Sequence, residues 1–194
     1  MSRQGPEDCQ YALELDEREV ARYRMMADQA RAAEADLWEL AGIGPGARVA
    51  DVGCGPGALL PALSAAVGPE GRVQAIDADP AAVAAAGALV AAAALANVSV
   101  AEGRADRTAL EPGSLDAVML RHVLAHNGGA EDAIVAHLAT LPRPGGCLYL
   151  VDADGTATPD DVRRWDRALQ EAAAAPVPPT IFAPFFAAVG RRPA

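Results

Sequence analysis

Val49-Ala50-Asp51-Val52-Gly53-Cys54-Gly55-Pro56-Gly57 is the most informative stretch of the chain. Arg48 to Val52 reads as a short buried strand, the glycines as a loop, and Ala58 to Val67 as the helix behind it. Gly53, Gly55 and Gly57 let the backbone turn tightly and approach a ligand, while the helix start presents free N–H groups. A second strand, Arg72 to Asp77, ends about 20 residues later in a carboxylate that can accept hydrogen bonds from both hydroxyls of a ribose. A glycine-rich turn alone is also an ordinary tight connection. With an acid at that distance and on that element, the pair points to an adenosine-containing ligand. Gly53, Gly55 and Ala58 also satisfy the dinucleotide fingerprint, so spacing leaves NAD open.

Outward from this stretch, strands and helices alternate. Asp79 caps and Pro80 opens a helix to about Ala96, Val98 to Glu102 is a strand, and Leu115 to Arg121 is a fourth. A helix from about Ala130 to Leu141 leads through the turn Pro142-Arg143-Pro144-Gly145-Gly146 to a fifth strand, Cys147 to Asp152. Before the first strand, Asp16 to Ala41 reads as a helix closed by Gly42; after the fifth, Thr158 and Pro159 open another to about Ala175. This pattern predicts an α/β fold, a doubly wound and mostly parallel sheet covered on both faces. We expect one domain over residues 1–194: an N-terminal lid helix (1–41), a cofactor-binding core (47–155), and a C-terminal helix and tail (156–194).

Composition narrows the function. The 194 residues carry a formal net charge of −10, which repels phosphate backbones and argues against DNA or RNA as partner. Alanine makes up about a quarter of the chain, so the core should be lean; all 16 basic residues are arginine. Cys9, Cys54 and Cys147 are an odd set without a disulfide framework, and the N-terminus has no apolar signal core. The longest apolar run, Ala81 to Ala96, is too weakly hydrophobic to span a bilayer. We expect a cytoplasmic protein with no membrane partner.

Four motifs in order resemble those of the class I S-adenosylmethionine-dependent methyltransferases. Val49 to Gly57 resembles the first, in which an acid precedes the first glycine by two positions. Val73 to Pro80 is similar to the second, Ser114 to Val118 to the fourth-strand segment, and Leu141 to Gly146 to the turn before strand five. Tyr11 to Met26 looks like the lid segment of small-molecule methyltransferases. The resemblance implies S-adenosyl-L-methionine as cofactor and a small molecule as acceptor. It implies that Asp51 and the backbone of Gly53, Cys54, Gly55 and Gly57 hold the methionine part, that Asp77 takes the ribose, and that Ala78 packs on adenine. Asp106 would accept from the adenine amino group with Ala105 beside it, and Arg121 would offer its main-chain carbonyl to the cofactor's amino group.

Methyl transfer from a sulfonium is an in-line displacement, so the protein mainly positions the acceptor and removes its proton where needed. His122 and His126 follow strand four and would share a face if that stretch is helical; either suits base work. Asp152 and Asp154, at the end of strand five, can orient a hydroxyl or amine. A metal site built on the two histidines with Glu131 or Asp132 has little support, and no metal is expected. His137 reads as a surface or packing residue; Tyr11, Tyr23, Met25, Met26 and Trp38 can line a pocket or simply pack. The fourth strand ends Leu120-Arg121-His122-Val123, without the Asn or Asp and paired prolines of methyltransferases acting on adenine or glutamine.

The family's sheet ordinarily ends in two further strands, the last antiparallel. About 40 residues follow strand five here, and they predict at most one short strand or helix, an abbreviated C-terminal end. An open sheet edge would then invite a homodimer. It would also leave room for a protein that binds S-adenosylmethionine without transferring methyl. An NAD-dependent oxidoreductase of the Tyr-Lys type is excluded by the absence of lysine.

Overall fold

The computed structural model describes residues 34–127, 129–153, 180–182 and 185–193. Among them are the strands β1 (Arg48–Val52), β2 (Arg72–Asp77), β3 (Val98–Glu102), β4 (Leu115–Arg121), β5 (Pro142–Ala153), β6 (Thr180–Phe182) and β7 (Phe185–Arg191). They form one sheet in the order β3-β2-β1-β4-β5-β7-β6. The first five are parallel, β7 runs antiparallel to β5, and β6 antiparallel to β7. The strand order reverses between β1 and β4, and in an open α/β sheet such a switch point opens a crevice at the carboxyl ends of the strands.

Both faces are covered. A helix over 34–40, α1, supplies Trp38 to one face, and α2 (Leu60–Val67) adds Leu60, Leu63 and Val67 over Val49, Ala75, Met119 and Tyr149. α3 (Pro80–Ala92) joins that face through Ala86. The other face packs Val52, Val118, Leu120 and Leu150 against Ile134, Val135 and Leu138 of α4 (Glu131–Leu138). Alternate residues of each buried strand serve opposite faces, as the pleat requires. The expected lean core is realised by Ala50, Ala75, Ala82, Ala86 and Ala117, all fully buried.

β1, β2, β3 and β4 match the strand bounds read from the sequence. α3 opens as expected, with the Asp79 carboxylate accepting from Ala81 N at 2.8 Å. It ends at Ala92 because Ala94 enters the left-handed region (φ +50°). The turn expected at 142–146 lies inside β5 as an irregularity: Leu115 pairs with Pro142, and Ala117 next with Cys147. Asp116 clamps it, accepting from Arg143 Nε at 2.6 Å and from Arg48 N at 2.8 Å. So Asp116 of the fourth-strand motif ties the starts of β1, β4 and β5 together.

The expected abbreviated end needs correction. β7 and β6 complete a seven-stranded sheet, and β7 pairs along β5 from Cys147↔Arg191 to Ala153↔Phe185. Pro and Ala in the surrounding sequence hid the strand signal, since both are depleted in strands. Pairing by β7 also removes the open β5 edge on which the homodimer expectation rested. The helix expected from Thr158 to about Ala175 and most of the lid helix lie outside the described residues.

Candidate functional site

The glycine loop sits at the switch point. Gly53, Gly55 and Gly57 all have positive φ (+74°, +54° and +82°), a region costly for a residue with a Cβ. Gly53 N and Cys54 N both donate to Ile76 O, at 2.7 and 3.1 Å, binding the loop to β2. A Cβ on Gly53 would lie 2.2 Å from Val123 Cγ2, and one on Gly57 2.9 Å from Leu60 Cδ1. Gly55 differs: nothing lies within 4 Å of its Cβ position, so this part of the loop fronts open space.

Asp77 stands against that opening. Its two carboxylate oxygens accept from Gly55 N at 2.7 Å and Asp79 N at 2.9 Å, which fixes the carboxylate between the loop and the start of α3. Each oxygen retains a second lone pair for a ligand hydroxyl. Ala78 is exposed immediately beyond it, and Gly103 N donates to Asp77 O at 2.8 Å, drawing the end of β3 alongside. Past β3, Ala105 and Asp106 are half-buried; Arg104 Nε, 3.0 Å from Asp106 Oδ1, holds that carboxyl below its usual range. Cys54 is half-buried in the loop, its thiol pushed up by burial.

Asp51 lies beneath the loop at 3% exposure. Burial pushes its carboxyl up to about 7; Arg121 works against that rise, and Asp77 adds to it. Arg121, at the carboxyl end of β4, turns its guanidinium to Glu34 of α1, with Nη2 2.7 Å from Oε1. The other Glu34 oxygen accepts from the Tyr149 hydroxyl at 2.8 Å. The sequence reading did not single out Glu34 or Tyr149. The one available signal is Tyr149 in an apolar strand, whose hydroxyl needs a polar partner once buried.

His122 follows β4 in the left-handed region (φ +54°), where its N donates to Val151 O at 2.8 Å. Its Nδ1 is 4.0 Å from Oδ1 of Asp152, which is 2% exposed. Burial, reinforced by Arg121, lowers the imidazole to about 4. Asp152 Oδ2 accepts from Ala125 N at 3.0 Å, anchoring the 3₁₀ turn Leu124–His126 to β5. His126 is exposed at the end of that turn. His122 precedes the turn with a left-handed backbone, so the four-residue spacing does not put the two imidazoles on one helical face. His137 is a packing residue: its Nε2 accepts from Thr108 N at 3.0 Å and lies 3.0 Å from Thr108 Oγ1. Trp38 packs in the core. Asp154, Tyr11, Tyr23, Met25 and Met26 lie outside the described residues. Among the described residues no group of three or more His, Cys, Asp or Glu is arranged to hold a metal ion, and no helix is long and apolar enough to cross a membrane.

Residues 49–146, from the first motif to the irregularity in β5, match the family described as "Methyltransferase domain". The fold is similar to that of a SAM-dependent methyltransferase from Aquifex aeolicus, with a TM-score of 0.69 at 21% identity over 89% of this chain and 97% of that one. A candidate S-adenosyl-L-methionine-dependent methyltransferase from Methanococcus maripaludis gives 0.74 at 15% identity, covering 100% and 98%. A stretch of 127 residues is 34% identical to the "Uncharacterized 37.1 kDa protein in transposon TN4556" of Streptomyces fradiae. That match takes in 66% of this chain and 36% of the relative, so the chain spans about a third of that protein's length. With the motif-bearing half of the chain matched and the fold of the described residues shared, the chain belongs to the class I S-adenosylmethionine-dependent methyltransferase family.

Proposed function

We propose that the chain binds S-adenosylmethionine and directs its methyl group to a small-molecule acceptor, at oxygen, nitrogen or carbon. The observation that carries this is Asp77, held by two backbone amides at the rim of an open glycine loop beside the switch point. The residues fit the cofactor. Gly55 leaves room for close approach, Asp77 has lone pairs for both ribose hydroxyls, and Ala78 offers a small apolar surface for adenine. Ala105 and Asp106 flank the adenine end. Asp51, the backbone of Gly53, Cys54, Gly55 and Gly57, and the main-chain carbonyl of Arg121 serve the methionine end.

When bound, the cofactor supplies a methyl group made electrophilic by its sulfonium. Orientation of the acceptor then falls to this chain's residues after β4 and β5. His122, lowered to about 4, stays neutral above pH 5 and so offers an imidazole nitrogen to the acceptor's proton. Its low basicity suits alignment of a hydroxyl or amine better than full deprotonation. Asp152 anchors to β5 the turn Leu124–His126, which follows His122 and ends in His126. The charge of −10 favours a small acceptor over a nucleic acid. β7 and β6 fill the sheet edge whose expected absence left room for binding without transfer, and turnover separates the two readings.

The test is transfer from methyl-labelled S-adenosylmethionine to a panel of phenols, amines, thiols and activated carbons. Label in an acceptor, lost in Asp77→Ala, supports the proposal. Tight cofactor binding with no label in any acceptor would leave a binding protein in its place.

A further inference from the structure

Glu34, Arg121 and Tyr149 form a buried polar cluster that none of the sequence motifs includes. The sheet register assembles it: Asp51 pairs with Met119 and Met119 with Tyr149, so these three lie in one row across one face. Arg121 lies two residues further toward the carboxyl end of β4. Glu34 descends from α1 onto that face, one oxygen taking Arg121 at 2.7 Å and the other the Tyr149 hydroxyl at 2.8 Å. Both members of the ion pair are 12% exposed, so removing either leaves a charge almost without solvent.

The net charge of the pair is zero, and the position of that zero matters. Arg121 stands at the end of β4 beside Asp51, where the proposed methionine subsite begins. The methyl donor and its demethylated product differ there by one positive charge, a sulfonium against a neutral thioether. An uncompensated guanidinium would repel the donor more than the product, and its field is weakly screened in a buried site. We propose that Glu34 is a positioning and specificity-determining residue: it cancels the Arg121 charge, so that the site does not disfavour the cationic donor against its neutral product. Tyr149 orients the carboxylate for that task. This inference rests on the S-adenosylmethionine reading above.

The test measures dissociation constants of the full chain for S-adenosylmethionine and S-adenosylhomocysteine by calorimetry, in the wild type and in Glu34→Gln, Arg121→Gln and the double variant. Glu34→Gln should shift the donor-to-product affinity ratio about tenfold toward the product, the effect of a unit charge felt across roughly 10 Å at an effective dielectric constant of about 20. Arg121→Gln should shift it the other way, and the double variant should return it to within about threefold of wild type. A merely structural role weakens both ligands by the same factor and leaves the ratio alone, and that result overturns the proposal. Should Glu34→Gln fail to unfold cooperatively, Arg121→Gln reads the same field with opposite sign, and an unchanged ratio there is equally decisive. Failure of the wild type to bind either ligand overturns the donor reading instead, and this inference with it.

Discussion

Two alanine substitutions two residues apart should separate folding from binding. In Gly53→Ala the new Cβ lies 2.2 Å from Val123 Cγ2, and the backbone is held at φ +74°. The left-handed conformation costs about 1 kcal/mol and overpacking about 1–3 kcal/mol, so the loss of stability should be about 2–4 kcal/mol. In Gly55→Ala the φ of +54° carries a similar backbone cost, but nothing lies within 4 Å of the Cβ. Stability should fall by only about 1 kcal/mol, while the Cβ enters the proposed ligand space and lowers cofactor affinity by about tenfold or more. Urea unfolding and calorimetric titration of each variant supply the four numbers. Val123→Ala in the Gly53→Ala background should recover about 1–2 kcal/mol, because the clash is with that side chain. Equal stability of the two glycine variants would refute this assignment of roles, as would a Gly55→Ala variant that binds like wild type.

Three further outcomes follow from the site. Asp77→Ala loses charge-assisted bonds to a ribose and should weaken S-adenosylmethionine by one to two decades, about 1.5–3 kcal/mol; Asp77→Asn should lie between it and wild type in a titration. The pH dependence of stability should contain two opposing contributions. The lowered His122 withholds a proton that the unfolded chain binds, so its contribution falls as pH drops from about 6.5 toward 4, by about 2 kcal/mol between pH 7 and 5. The raised Asp51 keeps a proton that the unfolded chain releases, so its cost grows as pH rises from about 4 toward 7 and is complete above that, by about 2 kcal/mol over the same interval. The wild-type profile is therefore nearly flat there. His122→Asn, which tolerates the left-handed backbone, should gain stability relative to wild type as pH falls to 5; Asp51→Asn should gain relative to wild type as it rises to 8. Parallel profiles in urea melts would contradict both. Asp116→Ala, remote from the loop, should cost about 0.5–1.5 kcal/mol by freeing Arg48 N and Arg143, with cofactor affinity unchanged.

Most of the sheet is legible in the sequence because its strands are short, apolar and bounded by glycine, proline or acid. Arg48–Val52, Arg72–Asp77, Val98–Glu102 and Leu115–Arg121 declare themselves in this way. The C-terminal strands do not, since their pairing is set by the long-range register of β5 against β7, which local propensity does not encode. The helix after Pro80 illustrates the same limit, because alanine alone does not mark where it stops and a left-handed Ala94 does. At the site, the glycine loop and Asp77 are readable because their chemistry needs fixed spacing along the chain. Glu34 and Tyr149 are not, because Glu34 meets Arg121 across 87 residues of chain and Tyr149 across 115, and only the fold unites the three. The histidine pair shows the reverse error, in which a spacing of four suggests a helical face and a left-handed His122 removes it.

The most direct measurement is a parallel calorimetric titration of the purified chain with S-adenosylmethionine, S-adenosylhomocysteine and NAD, with Asp77→Ala as control. Binding of the first two, silence with NAD and a loss of one to two decades in the variant is the predicted result. Binding of NAD alone, or an Asp77→Ala variant that binds S-adenosylmethionine as tightly as wild type, would contradict the account.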